Sequence, residues 1–129
     1  MPSRDYELGE AELQVLKALW DSGPSTVRDV MNHLHRHDRK VAYTTVLTFL
    51  TRLELKGYVA SDKSDLAYVY RAVLSREKVT RARLRTMVKQ LYDGAAAPLV
   101  LQLMRSEKFS AEEIASLQKL IDELDSKKP

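Results

Sequence analysis

Apolar residues between positions 41 and 58 recur with the period of an α-helix, and the opposite face of that helix is rich in threonine. The apolar face consists of Val46, Phe49, Leu50 and Leu53. The opposite face consists of Thr44, Thr48, Thr51 and, at its edge, Arg52. Threonine loses side-chain freedom in a helix, so ordinary solvent-facing surfaces use Lys, Glu and Gln instead. Short hydroxyls bond phosphates and base edges, methyls pack on thymine, and arginine bonds guanine, so this face predicts a contact with nucleic acid. The alternative is a solvated amphipathic helix that is enriched in threonine by chance.

Two shorter helices are predicted before this stretch. The first runs from Glu10 to about Asp21, where Leu13, Leu16, Leu19 and Trp20 recur at three- and four-residue spacing and acidic residues occupy the first turn. Ser25 or Thr26 then caps the second helix, and Asp29 follows Thr26 by three residues, as in a capping box.

A change of period after the third helix predicts a β-hairpin. Helix three covers roughly residues 43–56 and ends at Gly57, a residue type that favours the backbone of a helix terminus. β-branched and aromatic residues then occur at 58–61 and 67–71, on either side of a polar turn. Three helices followed by a hairpin is the order of a winged helix-turn-helix domain, whose third helix enters the DNA major groove while the hairpin forms the wing. We therefore predict a DNA-binding domain at residues 1–74.

Residues 75–129 are predicted to form a helical dimerisation domain. Three helical segments follow one another; the second, Ala95 to Arg105, is apolar nearly all round, and the last opens with Ser110 and a capping-box Glu113. The residues expected at the dimer interface are Leu84, Met87, Val88, Leu91, Leu99, Leu103, Ile114, Leu117, Ile121 and Leu124. About 50 residues cannot enclose a good core alone, so an interlocked homodimer is the economical arrangement. The alternative is that these helices fold back on their own DNA-binding domain. The expected fold class is mainly α with a small β-hairpin.

The composition argues for a soluble protein of the cytoplasm that is not an enzyme. The 129 residues contain no cysteine, which excludes disulfides, thiol nucleophiles and thiolate metal sites. No apolar run approaches the ~20 residues of a membrane span, and the first residues lack the apolar stretch of a secretion signal. Because the sequence has no glycine-rich phosphate loop and no convincing nucleophile–base or carboxylate pair, we expect neither catalysis nor a cofactor.

The net charge of +3 is too small to establish nucleic-acid binding, but the charges are unevenly distributed. Acidic residues cluster at positions 5–12, whereas residues 36–56 carry five basic residues and two acidic ones. This distribution predicts that the amino-terminal domain is polarised, with its positive side at the threonine-rich helix. A second basic run, at residues 76–89, has three open interpretations: contact with the DNA backbone, pairing with acids of a partner subunit, or a solvated face.

Three histidines, His33, His35 and His37, alternate near the end of the second helix. Alternate spacing does not align side chains on a helix, and a metal site would need further ligands. We therefore expect exposed histidines at a helix C-terminus, where a cation is favoured, and no metal.

Several groups of residues carry a resemblance to a known family. They are residues 8–13 with Trp20, residues 42–48 with Arg52-Leu53 and Lys56-Gly57, and the segments 99–101 and 110–114. In these positions the chain resembles the β-lactamase (penicillinase, methicillin-resistance) repressor family of bacterial winged-helix regulators. The resemblance implies a dimer whose winged domains bind a palindromic operator and whose C-terminal helices make the dimer interface.

The residues expected to contact DNA are Thr26, Lys40, Tyr43, Thr44, Thr45, Thr48, Arg52 and Lys63. Matched position by position, the resemblance assigns base reading to Thr45, Thr48 and Arg52. It places Tyr43 near the DNA backbone and Lys63 in the wing.

The remaining expectations about DNA contacts come from the residue types. The N-terminus of helix two, at Thr26, presents backbone N–H groups to phosphate, and Lys40 adds a contact that does not depend on sequence. Asp62 and Asp65 beside Lys63 depart from a basic wing and argue against strong binding there.

Two departures from the family concern regulation. Some members are inactivated when a membrane sensor-protease system leads to cleavage of an Asn-Phe bond, whereas the equivalent positions here are Gln102 and Leu103. A copper-responsive branch has a cysteine-rich tail, which this chain lacks. We expect a cytoplasmic homodimeric repressor that binds a palindromic promoter operator and controls a β-lactamase or related stress-response gene. The alternative is a protein-interaction module that uses its C-terminal helices and does not bind DNA.

Overall fold

Six helices and three short strands follow one another in the computed structural model, which describes residues 8–127. The elements are α1 (Glu10–Ser22), β1 (Ser25–Thr26), α2 (Val27–Arg36), α3 (Tyr43–Leu55), β2 (Val59–Asp62), β3 (Val69–Ala72), α4 (Arg76–Tyr92), α5 (Ala97–Ser106) and α6 (Ala111–Ser126). The chain divides into two compact units, Met1–Arg85 and Thr86–Pro129, and the division falls inside α4. The predicted fold class is confirmed, because the described chain is mainly α with a small sheet in the order of a winged helix-turn-helix domain.

Side-chain caps and one glycine set the helix ends as predicted. Thr26 Oγ1 accepts the Asp29 N–H while Asp29 Oδ2 accepts the Thr26 N–H, both at 3.1 Å. Ser110 and Glu113 repeat this capping box at the start of α6, at 2.8 and 3.1 Å. Gly57 has a φ of 87°, a left-handed conformation that costs free energy for a residue with a Cβ, and it follows α3 directly after its C-cap residue.

The predicted hairpin is present, and it gains a third strand. β2 and β3 pair antiparallel with Val59 opposite Ala72, and both begin one or two residues later than predicted. β1 pairs antiparallel with β3, with Ser25 opposite Tyr70, so the strand order is β1-β3-β2. The sequence did not predict β1, because a two-residue strand has no alternation of its own and is defined only by its partner. The extra strand joins the hairpin to the connection between α1 and α2. This third strand stabilises the hairpin, because two strands alone are marginally stable.

The core of the first unit holds α3 by one face. Val46, Leu50 and Leu53 are 0% exposed, and Tyr58 is equally buried where β2 begins. Phe49, predicted on the same face, is partly buried and packs against the edge of the core. Burying each such leucine contributes roughly 1.5–3 kcal/mol to the stability of the fold. The buried face therefore fixes the rotation of α3 about its axis, and with it the direction in which the threonines point.

The second unit consists of the end of α4, α5 and α6. α4 ends at Tyr92, since Asp93 and Gly94 both have positive φ angles of 53° and 95°. α5 begins at Ala97 rather than at the predicted Ala95, and its early proline suits a first helical turn, where no N–H is needed. Within the described chain, no residue from 86 to 127 is buried. None of the helices in residues 8–127 combines the length and the apolar character that a membrane crossing requires.

Candidate nucleic-acid interface

The face of α3 opposite the core is open to solvent, as the helical period predicts. Thr44, Thr45, Thr48, Thr51 and Arg52 are all exposed. These residues lie on a helix whose other face is locked into the core, so their side chains are presented by a rigid element. The structure thus places four of the predicted DNA-contacting residues on one surface, and it adds Thr51.

Two of the four threonine hydroxyls on this face, those of Thr48 and Thr51, are turned toward the helix itself. Thr48 Oγ1 donates to Thr44 O at 3.0 Å, and Thr51 Oγ1 donates to Leu47 O at 2.9 Å. A hydroxyl has one donor hydrogen, so these two have none left for a ligand. What remains for a partner is a methyl group and the oxygen lone pairs. This surface therefore suits apolar groups and hydrogen-bond donors better than the oxygens of phosphate.

Leu55 extends the same stripe by one more turn. It is 84% exposed, and it follows Thr48 and Thr51 at the spacing of seven and four residues that keeps side chains on one helical face. Leu55 is not among the residues predicted from the sequence, although continuing the threonine stripe by four residues reaches it. An exposed leucine beside threonine methyls makes the C-terminal part of the stripe apolar.

Arg52 lies on the flank of α3 rather than at the centre of the exposed face. Its guanidinium carbon is 5.9 Å from the centroid of the Phe49 ring, close enough for a cation–π interaction. The partial exposure of Phe49 therefore has a local consequence, because its ring supports the guanidinium. The five N–H donors of Arg52 remain at the surface in a planar fork.

The first turns of α2 and α3 meet at a basic and aromatic corner. Arg28 Cζ stands 5.7 Å from the ring centroid of Tyr43, which is 44% exposed. Arg28 was not among the predicted contacts, since no local sequence pattern indicates that the starts of α2 and α3 lie side by side. Thr26, expected to present N–H groups to phosphate, uses its hydroxyl and its own N–H in the capping box with Asp29. The Asp29 carboxylate also brings a negative charge to that helix end.

The other two predicted contacts lie in a loop and in the hairpin. Lys40 is exposed in the segment before α3. Lys63 Nζ stands 5.5 Å from the ring centroid of Tyr68 across the hairpin. Asp62, which weakened the expectation of a basic wing, accepts the Ser64 N–H at 2.9 Å, and hydrogen bonding to Ser64 lowers the pKa of its carboxyl. Asp62 thus has a local role in the turn.

The acidic start of α1 is paired with cations that flank the exposed helix face. Glu12 Oε1 accepts from Lys56 Nζ at 2.9 Å, and Glu10 lies 3.6 Å from Arg39. The predicted separation of an acidic side from a basic side is therefore wrong for these residues. The fold brings the acidic residues of α1 next to Arg39 and Lys56, which are far from them in the sequence.

The three histidines do not converge on one point. His33 and His37 stack with ring centroids 4.3 Å apart, and His37 Nδ1 donates to His33 O at 2.8 Å. His35 Nε2 donates to Val41 O at 2.9 Å. Within residues 8–127, no three His, Cys, Asp or Glu side chains are placed to hold a metal ion.

The predicted dimerisation residues carry much of the exposed apolar surface of α4, α5 and α6. Leu84, Met87, Leu91, Leu103, Ile114, Ile121 and Leu124 are between 41% and 65% exposed. The partly buried members of the predicted set are Val88, Leu99 and Leu117. The prediction omitted further exposed apolar residues on these helices, namely Val100, Leu101, Met104 and Leu120.

The third helix buries one face in the core and exposes the other. A second helix precedes it and a hairpin lies beside it, and this arrangement is that of a winged-helix DNA-binding protein. A model of the penicillinase repressor family matches residues 8–123. The chain therefore belongs to the penicillinase repressor family, and it is a DNA-binding transcriptional repressor rather than an enzyme.

Individual relatives and one solved structure agree with this placement. The transcriptional regulator BlaI of Mycobacterium tuberculosis is 32% identical over 120 residues, which cover 92% of this chain and 86% of the relative. A penicillinase repressor of Staphylococcus aureus is 23% identical over 127 residues, covering 98% of this chain and all of the relative. The solved complex structure of hsRosR-S4 aligns with a TM-score of 0.53 at 14% identity, covering 89% of this chain and 98% of that one, and so supports the fold.

Proposed function

We propose that this repressor acts as a homodimer that places two winged domains on the half-sites of a palindromic promoter operator and thereby blocks transcription. The observation that carries the proposal is the exposed face of α3, which is rigidly presented and chemically unlike a solvated helix surface. A two-fold symmetric protein requires an operator with the same symmetry, with half-sites about one helical turn or a multiple apart. The names of the relatives make a β-lactamase or a related stress-response gene the proposed target.

The proposed base contacts follow from the groups that α3 presents. Thr48 and Thr51 offer methyl groups because their hydroxyl hydrogens are engaged by the helix, so they would pack against thymine methyls in the major groove. Thr45 lies beside them on the exposed side. Arg52 would donate two hydrogen bonds to a guanine, the commonest specific contact of arginine in that groove. Together these contacts would read a half-site that contains thymine and guanine.

The proposed backbone contacts surround the reading helix. Arg28 and Tyr43 stand together at the start of α3, where phosphates approach a recognition helix. Lys40 and Lys63 supply charges before α3 and in the wing. Thr26 would contribute through the first turn of α2, but its capping box with Asp29 makes it the weakest of these contacts.

The proposed dimer is supported by the exposure of the C-terminal helices. From residue 86 to residue 127 no side chain is buried, and apart from the partly buried Leu99 and Leu117 the leucines, isoleucines and methionines there are 37–65% exposed. Segments of this size do not hold a helical arrangement without a larger core, and large exposed apolar patches mark association surfaces. We propose that the helices from residue 75 onward form the dimerisation domain.

Two experiments test this proposal. Selection of duplexes from a random library should enrich an inverted repeat, and failure to enrich any sequence would contradict base reading by α3. Sedimentation should give a dimer for the wild-type chain and a monomer for Ile121→Asp. Val73→Asp is the matched control, because Val73 and Ile121 are both 49% exposed but Val73 lies in the first unit. A wild-type monomer at tens of micromolar, or a dimeric Ile121→Asp chain, would argue against the proposed interface.

A further inference from the structure

A buried carboxylate lies next to the reading helix. Glu12 in α1 is only 6% exposed, and its Oε1 accepts both the Gly9 N–H at 3.1 Å and Lys56 Nζ at 2.9 Å. Burial by itself would raise the pKa of Glu12, but hydrogen bonds from Lys56 and Gly9 together with the charges of Lys56 and Arg52 lower it. Glu12 is therefore a charged group that depends on cations of α3 for compensation.

Two cations lie near this carboxylate: Arg52 on α3 and Lys56, the C-cap residue of that helix. Arg52 and Lys56 are four residues apart and so lie on the same flank of the helix end. Arg52 is close enough to Glu12 for its charge to contribute to the lowered pKa, yet the short hydrogen bond is made by Lys56. The guanidinium of Arg52 instead rests near the ring of Phe49.

Whether Lys56 or Arg52 bonds Glu12 matters because the two side chains bind a carboxylate differently. A guanidinium binds a carboxylate through two parallel hydrogen bonds, with the same planar fork that it would use on guanine. A Glu12 without its lysine would therefore attract Arg52 through the groups that base reading needs. An ammonium is a compact point charge and compensates Glu12 without using any group that reads DNA.

We infer that Lys56 is a positioning residue for DNA recognition, which holds the buried Glu12 carboxylate and so leaves the Arg52 guanidinium to the operator. The inference rests on the proposed reading role of Arg52. It assigns the Glu12–Lys56 pair a part in specificity that an ordinary ion pair between α1 and α3 would not have.

The test compares Lys56→Gln, Glu12→Gln, the double variant Glu12→Gln with Lys56→Gln, and Arg52→Ala. Glutamine at 56 can still donate a hydrogen bond to Glu12 but carries no charge. Each protein is titrated, at one salt concentration, with an operator duplex obtained by selection and with a scrambled duplex of equal length. The quantity compared is the ratio of the two dissociation constants, because general electrostatic effects change both. Circular dichroism melts report whether each variant is folded.

Lys56→Gln should lower the ratio about tenfold for each half-site of the operator, the size of one lost arginine–guanine contact, and should relax selectivity at the base pair that Arg52→Ala also affects. The double variant should recover to within about twofold of the wild-type ratio, since a neutral residue at 12 no longer attracts Arg52. Glu12→Gln alone should keep the wild-type ratio.

A double variant as weak as Lys56→Gln would overturn the inference, because Lys56 would then matter for reasons other than Glu12. An unchanged ratio for Lys56→Gln would also overturn it. If Lys56→Gln does not fold, the double variant is compared with the wild type and with Arg52→Ala: a ratio within about twofold of the wild type supports the inference, and a ratio as low as that of Arg52→Ala overturns it. Arg52→Ala separates the proposed function from the further inference. If Arg52→Ala leaves the ratio unchanged, the reading role of Arg52 is refuted. If Arg52→Ala lowers the ratio but Lys56→Gln does not, only the positioning role of Lys56 is refuted.

Discussion

Replacing Thr48 by serine or by valine separates the two groups that this side chain offers to DNA. Serine keeps the hydroxyl and removes the methyl, whereas valine keeps a methyl and removes the hydroxyl. In the free protein the hydroxyl donates to Thr44 O, a carbonyl that the helix also supplies with a backbone N–H. Valine therefore leaves no unsatisfied group behind. If the methyl does the reading, Thr48→Ser should weaken operator binding and Thr48→Val should not.

The size of the effect follows from the area that one methyl removes from water. Burying one such group is worth about 0.8 kcal/mol, or about a fourfold change in Kd. In the proposed dimer the substitution acts at both half-sites, which makes about 1.6 kcal/mol and about a fifteenfold change. Replacing the contacted thymines by uracil removes the other half of the same contact and should cost a similar amount.

Fluorescence anisotropy with thymine and uracil operators measures this contact as a double-mutant cycle. Thr48→Ser on the uracil operator should bind no more weakly than either single change, because both changes remove one contact. Thr80→Ser is the control, since Thr80 is exposed on α4 and is not among the residues proposed to contact DNA. Methyl reading by Thr48 is refuted if Thr48→Val loses as much affinity as Thr48→Ser, or if uracil has no effect at any position of the operator.

Three further predictions concern individual charges. Arg52→Ala should cost about 1–3 kcal/mol at each half-site of the operator, mostly at one base pair, as measured by competition with single-base variants of the operator. Lys40→Ala should weaken binding to operator and random duplexes alike and flatten the dependence of log Kd on log salt. Because the folded chain lowers the pKa of Glu12, the stabilisation by this carboxylate is present above its ordinary value of 4.5 and is lost as the pH falls through the lowered pKa. Glu12→Gln should therefore reduce the free energy of unfolding at neutral pH, on the order of 1 kcal/mol, and flatten its decline in acid, as measured by urea titration of the single tryptophan, Trp20.

Periodicity predicted those parts of this protein that are determined by neighbours in the sequence. The buried and exposed faces of α3 follow from a repeat of three and four residues, and the capping box at Thr26 follows from one residue pair. The same reasoning extended by one turn would have included Leu55. Local rules succeed here because each of these features lies within one helix.

Features that depend on contacts between distant residues were not predicted. β1 exists only because Ser25 and Thr26 lie beside β3, and the Lys56–Glu12 pair joins residues 44 positions apart. The position of Arg28 against Tyr43 likewise results from the packing of α2 on α3. Such contacts require the fold itself, since neither partner carries a local pattern that names the other.

The energies of the proposed contacts also bear on why one winged domain is too little. Two threonine methyls at about 0.8 kcal/mol each and one arginine–guanine contact at about 1–3 kcal/mol give about 2.6–4.6 kcal/mol of discrimination per half-site. Specific binding typically exceeds non-specific binding by about 4–10 kcal/mol, so a single domain reaches only the lower edge of that range. Two half-sites bound together give about 5–9 kcal/mol by the same count, provided that the two domains are linked. In the proposed dimer, which the exposed apolar surface of residues 86–127 supports, the exposed face of α3 would be used twice and would then exceed the lower edge of that range.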